Sequence, residues 1–422
     1  MVRKRCIGSS PIPGTLIFCI VCTKPQIFRP DSCVRAWHYR KVSLTTSAPT
    51  ASELREQMQA RVPQMVEQLG EFVNLESPSL DVDHLQVSAK YLAELFAKVT
   101  GKKAEIIQAA NGPHVHWKGS DNTNVLIVGH HDTVFPLGTT INRPFSIEGD
   151  IARGPGIFDM KAGIVQAIHG LSAIRDAYHV EVLITADEEV GSETSRELIE
   201  ARARATGAVL VLEPSADGGA LKIARKGVGT FTVQIVGRAS HAGLEPEKGV
   251  NALVELSAQV QRIVAMARHE VGTTVTPTVA TAGNAENVVP DAAMIKVDVR
   301  VVLPEEKVRI EREMSQLKPT VDGAVIKVSG SINRPPMHES AGRQLFGVAE
   351  AVAKDLGIKN LQGVAVGGGS DGNFTAAIGV PTLDGMGAVG GGAHGVTEHV
   401  LISTMGERAA LVAGVARALV NR

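Results

Sequence analysis

Apolar residues recur along residues 53–75 at the spacing of an amphipathic helix, and a second helical pattern covers residues 84–101. From residue 124 onward, short continuous apolar runs alternate with helical periodicity. The predicted strands are residues 124–128, 180–186 and 208–213, and the predicted helices between them are residues 160–177 and 193–205. This alternation indicates an α/β fold in which helices cover both faces of a mostly parallel sheet.

The pattern changes in residues 226–335, here called the inserted segment. Its predicted strands and helices follow the order β-α-β-β-α-β, which is typical of a ferredoxin-like α+β unit. Helical periodicity and glycine-rich loops return in residues 336–422. We therefore predict one domain from residues 50–225 and 336–422, with the inserted segment forming a second domain.

The first 49 residues form a leader that differs from the rest of the chain. It carries eight Lys/Arg, one acid and all four cysteines, so its net charge is +7 and that of residues 50–422 is −8. Its basic start and apolar stretch resemble a signal peptide, but Pro11 and Pro13 interrupt the stretch and no clean cleavage site follows. We interpret the leader as a disordered extension or a start codon assigned too early. A cytoplasmic protein is expected, and export is the alternative.

The composition of residues 50–422 narrows the functional classes. Their acidic net charge argues against nucleic acid as a partner. No apolar run in the sequence is long enough to span a membrane, so no membrane partner is expected. Since these residues contain no cysteine, a metal ion would need His, Asp and Glu ligands.

Histidine and acidic residues lie where the predicted strands end or the following helices begin. They are His130, Asp132, Asp159, Glu188, Glu189 and Glu213. The carboxyl ends of parallel strands share one edge of a sheet, where ligands bind. Carboxylates packed together are unfavourable unless cations neutralise them, and no Lys/Arg run accompanies these. This donor set favours Zn²⁺, with Co²⁺ or Mn²⁺ as substitutes.

Each of these signals is weak when taken alone. A His-x-Asp at a strand end is usually structural, and the pair Glu188-Glu189 is typical of a solvated helix start. The glycine run at residues 367–371 does not match a phosphate-binding loop, because GxxxxGK[ST] is absent. The prediction of a metal site therefore depends on the combination of residues in this order.

Eight motifs resemble, in the same order, those of a known enzyme family over residues 55–422. They are GHHDTV, GPGIFDMKAG, ADEEVGS, LEPS, ASHAG, NVVPDAAMIKVDVR, GGGSDGN and AHGVTEHV. The family is that of the dizinc hydrolases acetylornithine deacetylase, succinyl-diaminopimelate desuccinylase and aminoacylase. The motifs resemble most its glutamate carboxypeptidase branch, which cleaves folates. The resemblance implies two Zn²⁺ per subunit, with the inserted segment acting as a lid and homodimerisation domain.

The resemblance also implies the metal ligands. His130 and Glu213 would bind one zinc. Glu189 and His394 would bind the other, and Asp159 would bridge the two. A metal pair about 3.5–4 Å apart polarises a carbonyl and lowers the pKa of water. The implied nucleophile is a hydroxide that bridges the zinc ions.

Three further residues resemble the catalytic residues of the family. Glu188 would be the general base that takes a proton from the attacking water and passes it to the leaving nitrogen. Asp132 would hold His130 in the correct tautomer. His241, in the inserted segment, would donate a hydrogen bond to the oxyanion, and in many relatives it reaches the active site of the partner subunit.

The resemblance gives expectations for residues beside these as well. His131 is expected not to be a ligand, and Glu398 is expected to lie near the metal ligands. The peptide bond between Asp159 and Met160 is expected to be cis, as it is in the family.

Four residues resemble substrate-binding residues. Arg300 and Asn287 look like the family's anchors for the substrate carboxylate. An arginine is suited to this role because its guanidinium can bind a carboxylate in a bidentate manner. Arg334 and Lys222 fall where the glutamate carboxypeptidase branch has basic residues for an acidic side chain. For Lys222 a solvated surface position is the alternative, since its match requires a one-residue gap.

The sequence thus predicts a metal-dependent hydrolase that cleaves the amide bond of N-acyl amino acids or of C-terminal residues such as glutamate. The substrate would be a small molecule with a free carboxylate. Alternatives with the same chemistry are an N-acyl-amino-acid deacylase and a di- or tripeptide aminopeptidase. A metal-binding protein without catalysis is disfavoured, because every catalytic position is filled.

Overall fold

A computed structural model describes residues 48–421, so the predictions made for the leader lie outside the described residues. The α-helices in this part of the chain, numbered α1 to α11 in order, are Ala51–Ala60, Val62–Asn74, Val82–Thr100, Thr139–Asn142, Ala162–Ser172, Arg196–Thr206, Ala252–Val264, Pro304–Ser315, Glu339–Asp355, Gly372–Ala377 and Ile402–Val420.

The β-strands, numbered β1 to β16 in order, are Glu105–Ile107, His114–Lys118, Val125–His130, Ser146–Glu148, Ile151–Arg153, Val180–Thr185, Val209–Val211, Leu221–Arg225, Gly227–Val236, Thr274–Ala282, Ala292–Val301, Val325–Arg334, Gly363–Val366, Thr382–Leu383, Gly390–Gly391 and His399–Leu401. A tight helical turn at Ile157–Lys161 precedes α5, and a 3₁₀ turn at Glu188–Val190 follows β6.

The largest sheet has six strands in the order β1-β2-β6-β3-β7-β14. Strands β6, β3, β7 and β14 are parallel, and β1 and β2 are antiparallel at one edge. Alternate residues of β3 face two cores: Val125 and Ile127 pack with α5 and α11, whereas Leu126 and Val128 pack with α6. The predicted mostly parallel sheet with helices on both faces is confirmed.

The inserted segment contains a separate four-stranded antiparallel sheet, in the order β10-β11-β9-β12. Its core combines Val233 and Ile295 from the sheet with Leu256 of α7 and Ile310 of α8. The elements follow the predicted order β-α-β-β-α-β. The two sheets belong to one compact unit, so the domain boundaries at residues 226 and 335 remain a prediction.

The first helix of the sequence prediction is divided in the structure. Residues 53–75 fold as α1 and α2, which meet at Arg61. Pro63 lies in the first turn of α2, where the missing N–H group of a proline is tolerated. A proline cannot continue a preceding helix, because it has no N–H group to donate. Helix α3 ends as predicted, because Gly101 adopts a left-handed conformation.

A small sheet of four strands joins two segments that are distant in the sequence. Strand β16 pairs with both β15 and β5, and these strands lie next to the loop of His394 and the turn of Asp159 respectively. Residues far apart in the sequence are thus brought together. Among residues 48–421, none of the helices is both long and apolar enough to cross a bilayer.

Candidate active site

One side of the candidate site is built around His130, the last residue of β3. Its Nε2 lies 3.2 Å from Asp159 Oδ1 and 3.7 Å from Glu213 Oε1. His130 and Glu213 are buried, and Asp159 lies in the tight turn before α5. We call this group the His130 side.

The other side is built around His394, in the glycine-rich loop before β16. Its Nε2 lies 3.3 Å from Asp159 Oδ2 and 3.2 Å from Glu189 Oε1. We call this group the His394 side. The two carboxylate oxygens of Asp159 thus face different histidines, and the five residues predicted as ligands lie together. These five are called the ligand cluster below.

Glu398 holds the turn that carries Asp159. Its carboxylate accepts hydrogen bonds from the backbone N–H groups of Gly156 (3.0 Å), Phe158 (2.9 Å) and Asp159 (2.9 Å). Burial raises the pKa of Glu398 to about 7. The bond between Asp159 and Met160 is cis, as the family resemblance implies. Glu398 therefore holds the turn of Asp159 in place through these three hydrogen bonds.

Asp132 connects the end of β3 to the loop after β6. One of its oxygens lies 3.5 Å from His130 Nδ1, and the backbone N–H groups of Glu188 and Glu189 donate to the carboxylate at 3.2 Å each. Ser79 Oγ donates to it at 2.8 Å. A His130 ring that donates from Nδ1 leaves Nε2 as an acceptor for a metal ion.

Glu188 is buried beside the ligand cluster and is paired with Arg334. Burial raises its pKa well above the usual range, and the Arg334 charge opposes this. Arg334 Nη2 donates to Glu188 Oε1 at 2.9 Å and lies 3.4 Å from Asp371 Oδ1. Arg334, predicted to bind substrate, thus contacts the predicted base.

A buried arginine that the sequence reasoning missed, Arg225, contacts the His130 side. Its Nη2 donates to Glu213 Oε2 at 3.1 Å, and its Nε donates to Asp384 Oδ2 at 2.6 Å. Its signal lay in the strand LKIAR, where Arg225 takes the core-facing position shared with Leu221 and Ile223. Charge at a position reserved for apolar residues predicts a buried ion pair.

Lys222 lies on the same strand with its side chain near these charges. Burial lowers the pKa of Lys222, and the charge of Arg225 lowers it further, whereas Glu213 and Asp384 raise it. The structure therefore places Lys222 within electrostatic range of the His130 side, as a partly buried cation.

Three predicted residues lie elsewhere in this structure. Among the described residues, no hydrogen bond or ion pair joins His241, Asn287 or Arg300 to the ligand cluster. Arg300 pairs with Asp298 through two contacts of 2.9 Å. The backbone C=O of Asn287 accepts from the N–H of Ala242, so Asn287 and His241 lie in neighbouring exposed loops of the inserted segment.

The tautomer of His241 follows from its contacts. Its Nδ1 accepts hydrogen bonds from the backbone N–H groups of Gly243 (3.1 Å) and Leu244 (3.2 Å). A neutral imidazole that accepts at Nδ1 carries its proton on Nε2. His241 is exposed, so this N–H can reach a group outside its own loop.

His131 has protein partners at both ring nitrogens. Its Nδ1 lies 2.9 Å from Ser88 Oγ, and its Nε2 lies 2.9 Å from the backbone O of Pro113. Burial lowers its pKa to about 4, which keeps the ring neutral. These contacts leave no ring nitrogen for a metal ion.

The ligand cluster fits divalent cations chemically. It offers two imidazoles and three carboxylates, a donor set that Zn²⁺ accepts. Within the described residues, the buried Glu189 Oε1 accepts no hydrogen bond, although His394 Nε2 lies 3.2 Å away. One donor atom from each of His130, Asp159 and Glu189 falls within 4.8 Å of the others. In such an arrangement, acceptor atoms face and repel one another, and bound cations would remove this repulsion.

Comparison with known proteins identifies the class. Residues 126–418 match the family described as Peptidase family M20/M25/M40. Carboxypeptidase G2 from Pseudomonas sp. (strain RS-16) is 34% identical over 364 residues, which are 82% of this chain and 87% of that protein. The chain belongs to the M20/M25/M40 peptidase family. It is a hydrolase of the metallocarboxypeptidase and amidohydrolase class, and the family resemblance of its motifs is confirmed.

Solved structures agree with this at the level of the fold. The M20 family metallo-carboxypeptidase Sso-CP2 from Sulfolobus solfataricus has a TM-score of 0.69 at 16% identity, over 85% of this chain and 100% of that chain. A tripeptidase from Staphylococcus aureus has a TM-score of 0.69 at 20% identity, over 86% of this chain and 99% of that chain. The predicted fold class is therefore confirmed, including the inserted α+β segment.

Proposed function

We propose that the protein hydrolyses the amide bond between an acyl group and an amino acid with a free carboxylate, with glutamate favoured. The observation that carries this proposal is the position of Asp159, whose two oxygens face two separate His and Glu pairs beside the buried Glu188. The 34% sequence identity with carboxypeptidase G2 supports the activity of a carboxypeptidase rather than that of another amidohydrolase.

Two Zn²⁺ ions per subunit are the cations we assign to the ligand cluster, with Co²⁺ or Mn²⁺ as substitutes. One ion would be held on the His130 side and one on the His394 side, with Asp159 shared. When bound, such a pair polarises a carbonyl and makes a water molecule more acidic. Three carboxylates offset most of the charge of two divalent cations, which supports this stoichiometry.

Glu188 moves the proton in the proposed reaction. Its carboxylate accepts a proton from the attacking water as the water oxygen bonds to the amide carbon. The C–N bond then breaks, and Glu188 delivers the proton to the leaving nitrogen.

His241 is the proposed donor to the oxyanion. Its proton lies on Nε2, so the neutral ring can donate without first being protonated. Its exposed loop makes no hydrogen bond or ion pair with the ligand cluster among residues 48–421. We therefore infer that it acts on the active site of a second subunit.

Exposed apolar side chains support a homodimer through the inserted segment. Leu244 is 75% exposed, and Leu253 and Val254 of α7 are 48% and 52% exposed. Strand β10 forms a free edge of the same sheet. Free edges and exposed apolar residues favour association with a second chain.

The proposed anchors for the substrate carboxylates are Arg300, Asn287, Arg334 and Lys222. Arg334 already contacts Glu188, so a substrate carboxylate would reach a guanidinium that is also paired with the base. The partly buried Lys222 adds a second positive charge close to the His130 side. Both features support a preference for acidic substrates.

A panel of substrates tests this proposal. The Zn²⁺-loaded protein would be assayed with N-acyl-L-glutamates, folates and peptides that end in glutamate. Controls would replace glutamate by glutamine or block the α-carboxylate as an amide. We expect kcat/KM to be highest for the free glutamates and to fall by about 10²-fold when the α-carboxylate is blocked.

Two outcomes of this assay would favour one of the alternative functions. Equal rates for glutamate and glutamine would remove the acidic pocket and leave the deacylase alternative, which N-acetylornithine would test. Preference for tripeptides with a free amino terminus, together with indifference to the blocked carboxylate, would favour the aminopeptidase alternative.

A further inference from the structure

Arg225 is fixed completely by its contacts. Its side chain is buried at the end of β8. Nη1 donates to the backbone O atoms of Gly368 (3.1 Å) and Gly369 (3.2 Å), and Nε donates to Asp384 Oδ2 (2.6 Å). Nη2 donates to Asp384 Oδ1 and to Glu213 Oε2, both at 3.1 Å. The five N–H groups of the guanidinium thus match five acceptors.

Asp384 anchors this arrangement. It is fully buried, and its carboxylate accepts hydrogen bonds from Ser370 Oγ (2.6 Å) and from the backbone N–H of Gly385. Asp384 therefore orients Arg225, and Arg225 in turn orients Glu213. A chain of two buried ionic contacts runs from the protein interior to the His130 side.

The consequence for Glu213 is that its two oxygens have different surroundings. Oε2 is occupied by Arg225, whereas Oε1 faces His130 Nε2 at 3.7 Å. Glu189, the matching carboxylate on the His394 side, has no arginine contact among the described residues. The two sides of the ligand cluster are therefore supported unequally.

We propose that Arg225 is a positioning residue that restricts Glu213 to binding a cation through Oε1 alone, on the His130 side. This inference rests on the proposed two-metal site. Groups that orient metal ligands commonly change metal affinity by about 10–100-fold when they are removed. Because Arg225 touches only Glu213 in the ligand cluster, its loss acts on one of the two cations.

Titration of metal-stripped protein with Zn²⁺ against a chromophoric chelator tests the proposal. In Arg225→Lys the charge is kept, but an ammonium cannot hold Glu213 and Asp384 together as a planar guanidinium does. We expect one Zn²⁺ equivalent to bind about 10–100-fold more weakly and the other to change less than about 3-fold. Arg408→Lys is the matched control, because Arg408 is equally buried but donates only to the backbone O atoms of Gly219, Gly385 and Gly387.

The outcomes separate this inference from the proposed function. Wild-type protein that binds no Zn²⁺ would remove the two-metal site itself. Two equivalents of unchanged affinity in Arg225→Lys, or equal weakening of both, would overturn the role of Arg225 alone.

A crystal structure of the Zn²⁺-loaded wild type, with anomalous scattering, tests the same geometry without a variant that could fail to fold. One Glu213 oxygen on the metal and the other on Arg225 is expected. Glu213 binding through both oxygens would contradict the proposal.

Discussion

Buried carboxylates at the candidate active site and in the inserted segment are in opposite electrostatic situations. Burial and the nearby charge of Asp159 together raise the pKa of Glu213 to about 7, against the lowering effect of Arg225. In the inserted segment, a hydrogen bond from Arg309 lowers the pKa of Glu306 to about 2. Both side chains have little exposure to solvent, but burial is the largest effect on the pKa of Glu213 and only a secondary one on that of Glu306.

The ratio of acids to cations adds to this difference in pKa. Glu306 contacts two arginines, Arg309 and Arg268, so its charge is balanced by the protein. At the candidate active site, acids outnumber the basic residues that face them. Uncompensated carboxylates are stabilised either by cations bound from outside or by protonation. The inserted segment needs no such partner, and this contrast gives four predictions.

The largest effect is expected from Glu188→Gln. The amide cannot accept the proton of the attacking water, so kcat should fall by about 10²–10⁴-fold. Zn²⁺ content, measured by elemental analysis, should stay at the wild-type level because Glu188 is not an assigned ligand. The exposed Glu193→Gln, in the same loop, is the matched control and should keep full activity. Undiminished turnover by Glu188→Gln would remove Glu188 from the mechanism.

The second prediction concerns the residue that the inserted segment is proposed to supply to the active site. His241→Ala should lower kcat by about 10²–10³-fold, because a donor to the oxyanion is lost. If His241 acts on the partner subunit, mixing His241→Ala with Glu188→Gln should restore about a quarter of the activity, since half of the dimers are mixed and each has one complete site. Mixtures as inactive as their components, despite proven subunit exchange, would exclude action across subunits.

The third prediction uses pH to measure the uncompensated charge. A raised folded-state pKa for Glu213 means that its contribution to stability is complete below about pH 4.5 and is lost as the pH rises through about 7. Metal-stripped protein should therefore gain on the order of 1–3 kcal/mol of unfolding free energy between pH 8 and pH 5.

Denaturant melts at each pH measure this change. With Zn²⁺ bound the trend should reverse, because protons then compete with the metal. In stripped Glu213→Gln the gain should shrink. A stripped wild type that is most stable at pH 8 would contradict the comparison between the two regions.

The last prediction concerns the inserted segment. Glu306→Gln removes the charge that faces Arg309 and should lower the free energy of unfolding by about 1–3 kcal/mol. The lowered pKa of Glu306 means that its contribution is present above about pH 4.5 and is lost as the pH falls toward 2. Zn²⁺ affinity should not change, and a loss of Zn²⁺ would show that the two regions are not independent.

The sequence allowed the fold and the ligand cluster to be predicted for a physical reason. Parallel strands end at one edge, so His130, Glu189 and Glu213 could be placed together from the positions of their strands. His394 could be placed only by family resemblance, because its loop follows no long strand. The β15–β16 pairing that positions it involves two and three residues, too few for a periodic signal.

The charge partners of the cluster were harder to predict. Arg334 and Asp371 lie 37 residues apart, and no local pattern links either of them to Glu188. The break between α1 and α2 was missed although Pro63 marks it, because the helical periodicity continues through the break. Periodicity reports which face is buried, whereas ion pairs between distant segments depend on the tertiary structure.

The most direct measurement of the central claim is the Zn²⁺ stoichiometry of wild-type protein and of Asp159→Asn. Asp159 faces both histidines of the ligand cluster, so it is the one residue that both cations would share. Two equivalents of Zn²⁺ bound by the stripped wild type, with both weakened in Asp159→Asn, is the predicted result. A wild type that binds one equivalent or none, or an Asp159→Asn variant that binds two as tightly as the wild type, would contradict it.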